Sequence, residues 1–199
     1  MHSSMEEYIR DLFANYLESQ MSLADYLPEN IAIAAKKIVE CLLQDGKILI
    51  CGSGASAANA LHFATGLMNQ YHVERPALPA IVLAQDFTIL SSNPHAEDYA
   101  QVFSRQIQAL GGEKDLLLIL TTSGDSSSLI HAVDAAKERG MDILTLSGKN
   151  GGMLSNHLGP EDIELRVRLD HPARIRETHL FILHCLCDLI DKSLFGAMV

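Results

Sequence analysis

Five short apolar runs, separated by stretches with helical spacing, constrain this chain more than any other feature. The runs are Lys47–Cys51, Ala80–Ala84, Leu116–Leu120, Ile143–Leu146 and Ile163–Val167. Several are apolar on both faces. A strand with one wet face alternates, so an unbroken apolar run implies cover on both sides, as in a parallel sheet. Parallel strands need long crossovers, and the intervening segments are long enough to supply them as helices. The alternation therefore predicts an α/β fold, a doubly wound parallel sheet with helices on both faces.

Before the first run the texture differs. Residues 5–20 carry Tyr8, Ile9, Leu12, Phe13 and Tyr16 at helical spacing. Pro28-Glu29 opens a second helix with the stripe Ile31, Ile33, Ala35, Ile38, Val39 and Leu42, and Asp45-Gly46 ends it. Residues 1–45 thus form a helical arm with no strand close behind it, and we expect it to pack on another subunit. The last helix, Ala173 to Phe195, is apolar almost all round in its middle and is expected to be buried. At 199 residues the chain is sized for one domain, 1–199, and short for two.

Charge removes whole classes of function. With 25 acids against 15 bases the formal net charge is −10. Direct nucleic-acid binding needs a basic face that releases phosphate counterions, so it is not expected. A small anion held by backbone N–H groups and hydroxyls stays open. No apolar run approaches bilayer length. The acidic, amphipathic N-terminus lacks the basic and apolar regions of a signal peptide and reads as structure. Cys41, Cys51, Cys185 and Cys187 show neither disulfide nor zinc-ribbon spacing, which fits reduced thiols in a cytoplasmic protein.

Two loops that follow strands carry the candidate chemistry. The first is Cys51-Gly52-Ser53-Gly54-Ala55-Ser56-Ala57, a sharp turn into a helix whose N-terminus offers free N–H groups and a positive dipole end. The second, Thr121 to Ser128, has six hydroxyls in eight residues and again opens a helix. If the strands are parallel, both loops lie on the carboxyl edge of the sheet, where such folds bind ligands. Hydroxyls and helix-end amides without a lysine suit a phosphate monoester. For one such loop, plain helix capping is about twice as good an explanation; two on one edge reverse that. Gly52-x-Gly54-x-x-Ala57 also fits the dinucleotide pattern, but that pattern expects an acid about 20 residues further on, and the next strand ends at Asp86, more than thirty residues on. Neither loop contains the G-K-[ST] of a P-loop.

These loops, in this order, resemble the sugar isomerase (SIS) domain. More narrowly, the chain resembles the bacterial phosphoheptose isomerases and the related DiaA-type replication initiator-associating proteins. The segments that carry the likeness are CGSGASAANALHF, ERPALPAI, TTSGDSSSLIHAV, LTLSGKNGG, GPEDIELRV and ARIRETH…HCLCDLID. The resemblance implies a flavodoxin-like three-layer fold, a homotetramer assembled partly through the N-terminal helices, and a sugar phosphate as ligand. It assigns phosphate and sugar binding to Thr121, Thr122, Ser123 and Ser126, to Ser53, Gly54, Ala55 and Ser56, and to Asp86 at the end of the second strand.

The reaction centre departs from that pattern. The isomerases resembled hold zinc through a His, a Glu four residues later, a Gln on the last helix and a His eight residues beyond it. Those positions are His62, Gly66, Arg176 and His184 here. Two metal ligands survive, and the acid/base Glu is absent. Gly66 cannot move a proton, and Arg176 has no ligating lone pair and repels a cation. Zinc is expected only if other residues replace the missing ligands; otherwise no cofactor is. His184 is the candidate catalytic residue that remains. Arg176 either clamps a substrate anion or is a salt-bridged surface residue. Glu177 reads as a dipole partner in the first turn of the last helix, His179 as a satisfied buried histidine, and His95 as an altered loop position near the sheet edge. These substitutions favour an impaired, DiaA-type member that binds the replication initiator protein. The alternative is an active isomerase converting sedoheptulose 7-phosphate to D-glycero-D-manno-heptose 7-phosphate for lipopolysaccharide core synthesis.

Overall fold

The computed structural model describes residues 4–84 and 99–196. Helix α1 (Met5–Ala24) begins at Ser4, whose hydroxyl accepts from the Glu7 amide while the Glu7 carboxylate accepts from the Ser4 amide. This capping box satisfies two N-terminal donors reciprocally. Helix α2 (Leu27–Leu43) has its proline in the first turn, and Asp45 beyond it takes φ 62° in the expected turn. There follow β1 (Ile48–Gly52), α3 (Ser56–Met68), β2 (Ala80–Val82), α4 (Val102–Leu110) and β3 (Leu116–Leu120). The chain continues through α5 (Ser127–Glu138), β4 (Asp142–Gly148), α6 (Leu154–His157), β5 (Ile163–Val167) and α7 (Pro172–Phe195). The second strand is two residues shorter than expected, because Ala84 lies in the left-handed region at φ 58°.

All five strands are parallel, in the order β2-β1-β3-β4-β5. Every residue of β1 and β3 is buried, so their two-sided apolar character is used in full. Ile48 and Ile50 of β1 and Leu116, Leu118 and Leu120 of β3 join the core under α2, α3 and α7. Their neighbours Leu49, Cys51, Leu117 and Ile119 join the opposite core, under α4, α5 and α6. This is the expected three-layer α/β arrangement. All four cysteines are free thiols. No helix among the described residues is long and apolar enough to cross a membrane.

One expectation about the outer helices needs adjustment. Helix α7 buries Ile175, Ile182, Leu183, Leu186 and Ile190 against the sheet, but Phe181 in its middle is 57% exposed. The reason is that α7 covers the sheet with one face only. Its other face, with Phe181 and Cys185, borders a groove of about 750 Å³ shared with α1 and α2. Helix α1 itself buries only Leu23, leaving Tyr8, Phe13, Leu17 and Met21 in solvent.

A buried ion pair fixes α3 against α7. Arg75 Nε lies 2.7 Å from Asp191 Oδ1, with both side chains almost fully buried. The same guanidinium donates to the carbonyls of Gly66 and Leu67, each at 2.7 Å, closing the last turn of α3. Removing one member of such a pair strands the other charge and costs about 3–5 kcal/mol. Arg75→Ala is therefore expected to lower the unfolding free energy by about that amount, read from a urea transition. A change below about 1 kcal/mol would contradict the clamp.

Candidate functional site

Strand order reverses between β1 and β3, so the crevice at their carboxyl ends is the topological switch point where such sheets take ligands. Both candidate loops leave these two strands. Their hydroxyls meet: Ser53 Oγ is 3.5 Å from Ser126 Oγ, and Ser126 Oγ is 2.9 Å from Ser128 Oγ. Above Gly54, at φ 57°, no atom lies within 4 Å of where a side chain would begin. Helix α5 has Ser126 as its N-cap residue without a side-chain cap, and among the described residues no acceptor meets the Ser127 and Ser128 amides of its first turn. The start of α3 differs from expectation. The amides of Ser56, Ala57 and Ala58 close tight turns onto Ser53, Gly54 and Ala55 at 3.1–3.3 Å. Among the described residues no acceptor meets the Gly54 and Ala55 amides, so these are the donors available to an anion.

The expected binding residues divide by burial. Thr122, Ser123 and Ser126 are half-buried at the crevice, with Ser53 opposite. Thr121 is turned inward, only 6% exposed, and its Oγ accepts from the Gly124 amide at 3.0 Å. It shapes the loop from below. Ser56, in the first turn of α3, is likewise buried. Asp86 and His95 lie outside the described residues.

A third loop backs this cradle. Gly124 (φ 77°) and Gly152 (φ 60°) pack backbone against backbone. A Cβ on Gly152 would fall 2.2 Å from the Ser123 carbonyl, and one on Gly124 would fall 1.8 Å from the Gly151 carbonyl. The Leu154 amide donates to the Gly124 carbonyl at 2.9 Å, and the Met153 amide to Asp125 Oδ1 at 3.1 Å. Sequence reasoning gave the Lys149–Met153 stretch no structural role; its adjacent glycines were the available signal.

The two surviving family histidines come together. His62 Nε2 and His184 Nε2 are 2.8 Å apart, a hydrogen bond whose donor depends on the tautomers. The ring of Tyr71 stacks on His184 at 5.6 Å between centroids, a neighbour the sequence did not reveal. Partial burial, together with the adjacent His62, holds the His184 pKa below the ordinary histidine value. Gly66 is one turn along α3 from His62, where a Cβ would sit 3.2 Å from Cys187 Sγ. A structural zinc shell takes four ligands and a catalytic one three plus water. Among the described residues no third His, Cys, Asp or Glu joins this pair, so those residues do not fit the zinc shell that the resemblance implies.

Around the start of α7, Asn59 Nδ2 donates to the Arg176 carbonyl at 2.9 Å. Arg176 is half-buried, and no ion pair is made to it among the described residues. Glu177 lies beyond the first turn, because the helix starts at Pro172, and it pairs with Arg174 at 2.7 Å. The dipole reading is thus replaced by a local ion pair. His179 is fully buried with Nε2 3.0 Å from the Ser147 carbonyl, but its Nδ1 has no partner, so it is only half satisfied. Burial pushes its pKa down to about 4, with the Arg176 charge adding to the effect.

This fold, with hydroxyl-lined loops at two strand exits, defines a class that comparison with known proteins identifies. The SIS domain family matches residues 12–148. The phosphoheptose isomerase of Shewanella sp. (strain ANA-3) is 46% identical over 191 residues, 96% of this chain and 97% of the relative. Among solved structures, a phosphoheptose isomerase from Francisella tularensis superposes with a TM-score of 0.91 at 42% identity, covering 96% of this chain and all of that one. The Neisseria gonorrhoeae phosphoheptose isomerase gives 0.88 at 36% identity, covering 95% of this chain and all of that one. The chain belongs to the SIS-domain family and, within it, to the phosphoheptose isomerase family.

Two outcomes follow from the geometry. Gly152→Ala forces strain of about 1–3 kcal/mol into the backing loop. It is expected to weaken binding of inorganic phosphate about tenfold, measured by calorimetry. The second concerns pH. The folded pKa of His179, about 4, lies below its ordinary 6.5. Between those values the unfolded chain binds a proton that the folded chain refuses. The stability linked to His179 is therefore complete above pH 6.5 and drains away as pH falls toward 4. His179→Gln should flatten that acid limb in denaturation curves taken across this range.

Proposed function

We propose that this protein binds the phosphate of a heptulose-class sugar phosphate at Ser53–Ser56 and Thr122–Ser126 and interconverts its ketose and aldose forms. The observation that carries the reading is the Ser53–Ser126 approach at 3.5 Å, which supports one anion being gripped from two strand exits. Asp86, matched by resemblance, belongs to the same proposed site. The phosphoheptose isomerase relatives, with near-complete mutual coverage, favour sedoheptulose 7-phosphate as substrate over an unrelated sugar phosphate. They also move turnover ahead of binding alone, reversing the order expected from the altered ligand positions.

The reaction needs a base for the carbon beside the carbonyl and a route for the proton back. His184 takes that proton, giving an enediolate; a proton passes from the adjacent hydroxyl oxygen to the former carbonyl oxygen, and His184 returns its proton to the former carbonyl carbon, so that nothing is gained or lost overall. His62, hydrogen-bonded to it, orients the imidazole and shares the positive charge that develops. The depressed pKa keeps His184 neutral and able to accept at pH 7. We further propose a cytoplasmic homotetramer, with residues 1–45 as its assembly arm within a single 1–199 domain. The apolar residues that α1 leaves in solvent support that role.

Gly66 and Arg176 favour a second reading: phosphosugar binding without turnover, in a protein that acts by docking on a basic partner such as the replication initiator. The two readings part in one assay. Purified protein given sedoheptulose 7-phosphate, with and without added zinc, is expected to form the aldose heptose 7-phosphate, and His184→Ala to lower the rate by about 100-fold or more. Binding without turnover in both conditions would shift the conclusion to the second reading, which then predicts co-purification with the replication initiator above a control. Absence of binding would remove both.

A further inference from the structure

Strand β5 alternates where β1 and β3 do not. Leu165 and Val167 join the core under α2, α3 and α7, so Glu164 and Arg166 take the opposite face, with Thr145 and Ser147 of β4 beside them in register. On that face one carboxylate oxygen is shared. Glu164 Oε1 accepts from Ser147 Oγ at 2.5 Å and from Ser155 Oγ at 2.8 Å. Ser147 is the last residue but one of β4, and Ser155 is the second residue of α6. A single atom therefore joins the two ends of the loop that backs the phosphate cradle. Arg166 fixes the carboxylate in turn, with Nε 3.1 Å from Oε1 and Nη2 2.5 Å from Oε2. Burial by itself would raise the Glu164 pKa, but hydrogen bonds from Arg166, Ser147 and Ser155 outweigh it and hold the group below the ordinary carboxylate range. At pH 7 it is an anion that only accepts.

The loop so closed needs a restraint. Lys149 lies in the left-handed region at φ 55°, which a residue with a side chain does not keep by local preference. The carboxylate and the serine sit directly against the loop: a Cβ on Gly151 would fall 1.9 Å from Ser155 Oγ and 2.7 Å from Glu164 Oε1. On its other side the same loop meets the hydroxyl loop, through the Gly151 carbonyl against Gly124 and Gly152 against the Ser123 carbonyl. The Leu154 amide, next to Ser155, donates to the Gly124 carbonyl. Contacts thus run without a gap from Glu164, through the backing loop, to the residues that face the anion. A partly exposed Glu–Arg pair adds little stability by itself, so the use of this one lies in the hydroxyls it gathers.

We propose that Glu164 is a positioning residue for phosphate binding: by tying Ser147 to Ser155 it holds the backing loop closed, and the backing loop holds Ser123 to Ser126 in the shape that grips the anion. The proposal rests on the phosphosugar reading and deepens it. Equilibrium dialysis of the purified protein against inorganic phosphate and against sedoheptulose 7-phosphate tests it. Ser147→Ala, Ser155→Ala and Glu164→Ala are each expected to raise Kd for both ligands about tenfold, with the amount bound at saturation unchanged. A merely structural role would do the reverse, lowering the saturating amount through lost folded protein and leaving Kd alone. Because either serine released opens the same closure, Ser147→Ala/Ser155→Ala is expected to bind within about twofold of each single variant. The serine variants keep the Glu164–Arg166 pair, so they decide the matter even where Glu164→Ala does not fold. Unchanged Kd in the serine variants, or losses that multiply to about a hundredfold in the double variant, would overturn the proposal while leaving the phosphosugar reading intact. If the natural protein binds neither ligand, the phosphosugar reading itself fails, and this proposal with it.

Discussion

The pairing of β1 with β3 is the contact on which the site depends. Those strands run parallel from Ile48 opposite Leu116 to Gly52 opposite Leu120, so both end at the same level. Each then turns into a helix. Two loops that are about seventy residues apart in sequence become neighbours because their strands share hydrogen bonds. The apolar residues of these strands, buried on both faces, make the pairing costly to shift, since a slip by one residue would exchange the two cores.

Around that pairing the structure works by close backbone approach and by a charge clamp. Gly124 and Gly152 let the second loop rest directly on the Lys149–Met153 loop, so its shape is set from behind as well as by Thr121 from below. On the other side α3 and α7 run side by side in the same direction: Asn59 meets Arg176, His62 meets His184, and Arg75 joins the end of α3 to Asp191. The clamp lies well beyond the histidines along both helices. It fixes their relative placement without touching the ligand crevice.

The electrostatics run against the overall composition. A chain with net charge −10 gathers hydroxyls and backbone amides at one edge of its sheet. Among the described residues the acid nearest this cradle is Asp125, and it is engaged by the Met153 amide. An acidic protein can hold an anion in this way because short-range donors at helix starts outweigh charges screened by water and salt.

The sequence alone determined the layered architecture, since unbroken apolar runs can be satisfied only by strands covered on both sides. It also marked two loops as candidates for a phosphate cradle, because glycines and hydroxyls before a helix have few other uses in pairs. It could mark Gly66 and Arg176 as departures from the family pattern. Tertiary structure decided the rest. Thr121 and Ser56 have the right chemistry but are buried, and Glu177 turns to Arg174, because burial and helix phase are set by packing and not by residue type. The histidine pair, the Tyr71–His184 stack and the Arg75–Asp191 clamp each join residues about 110 to 120 positions apart. Such contacts exist only once α7 has closed over the sheet, so no local pattern along the chain encodes them.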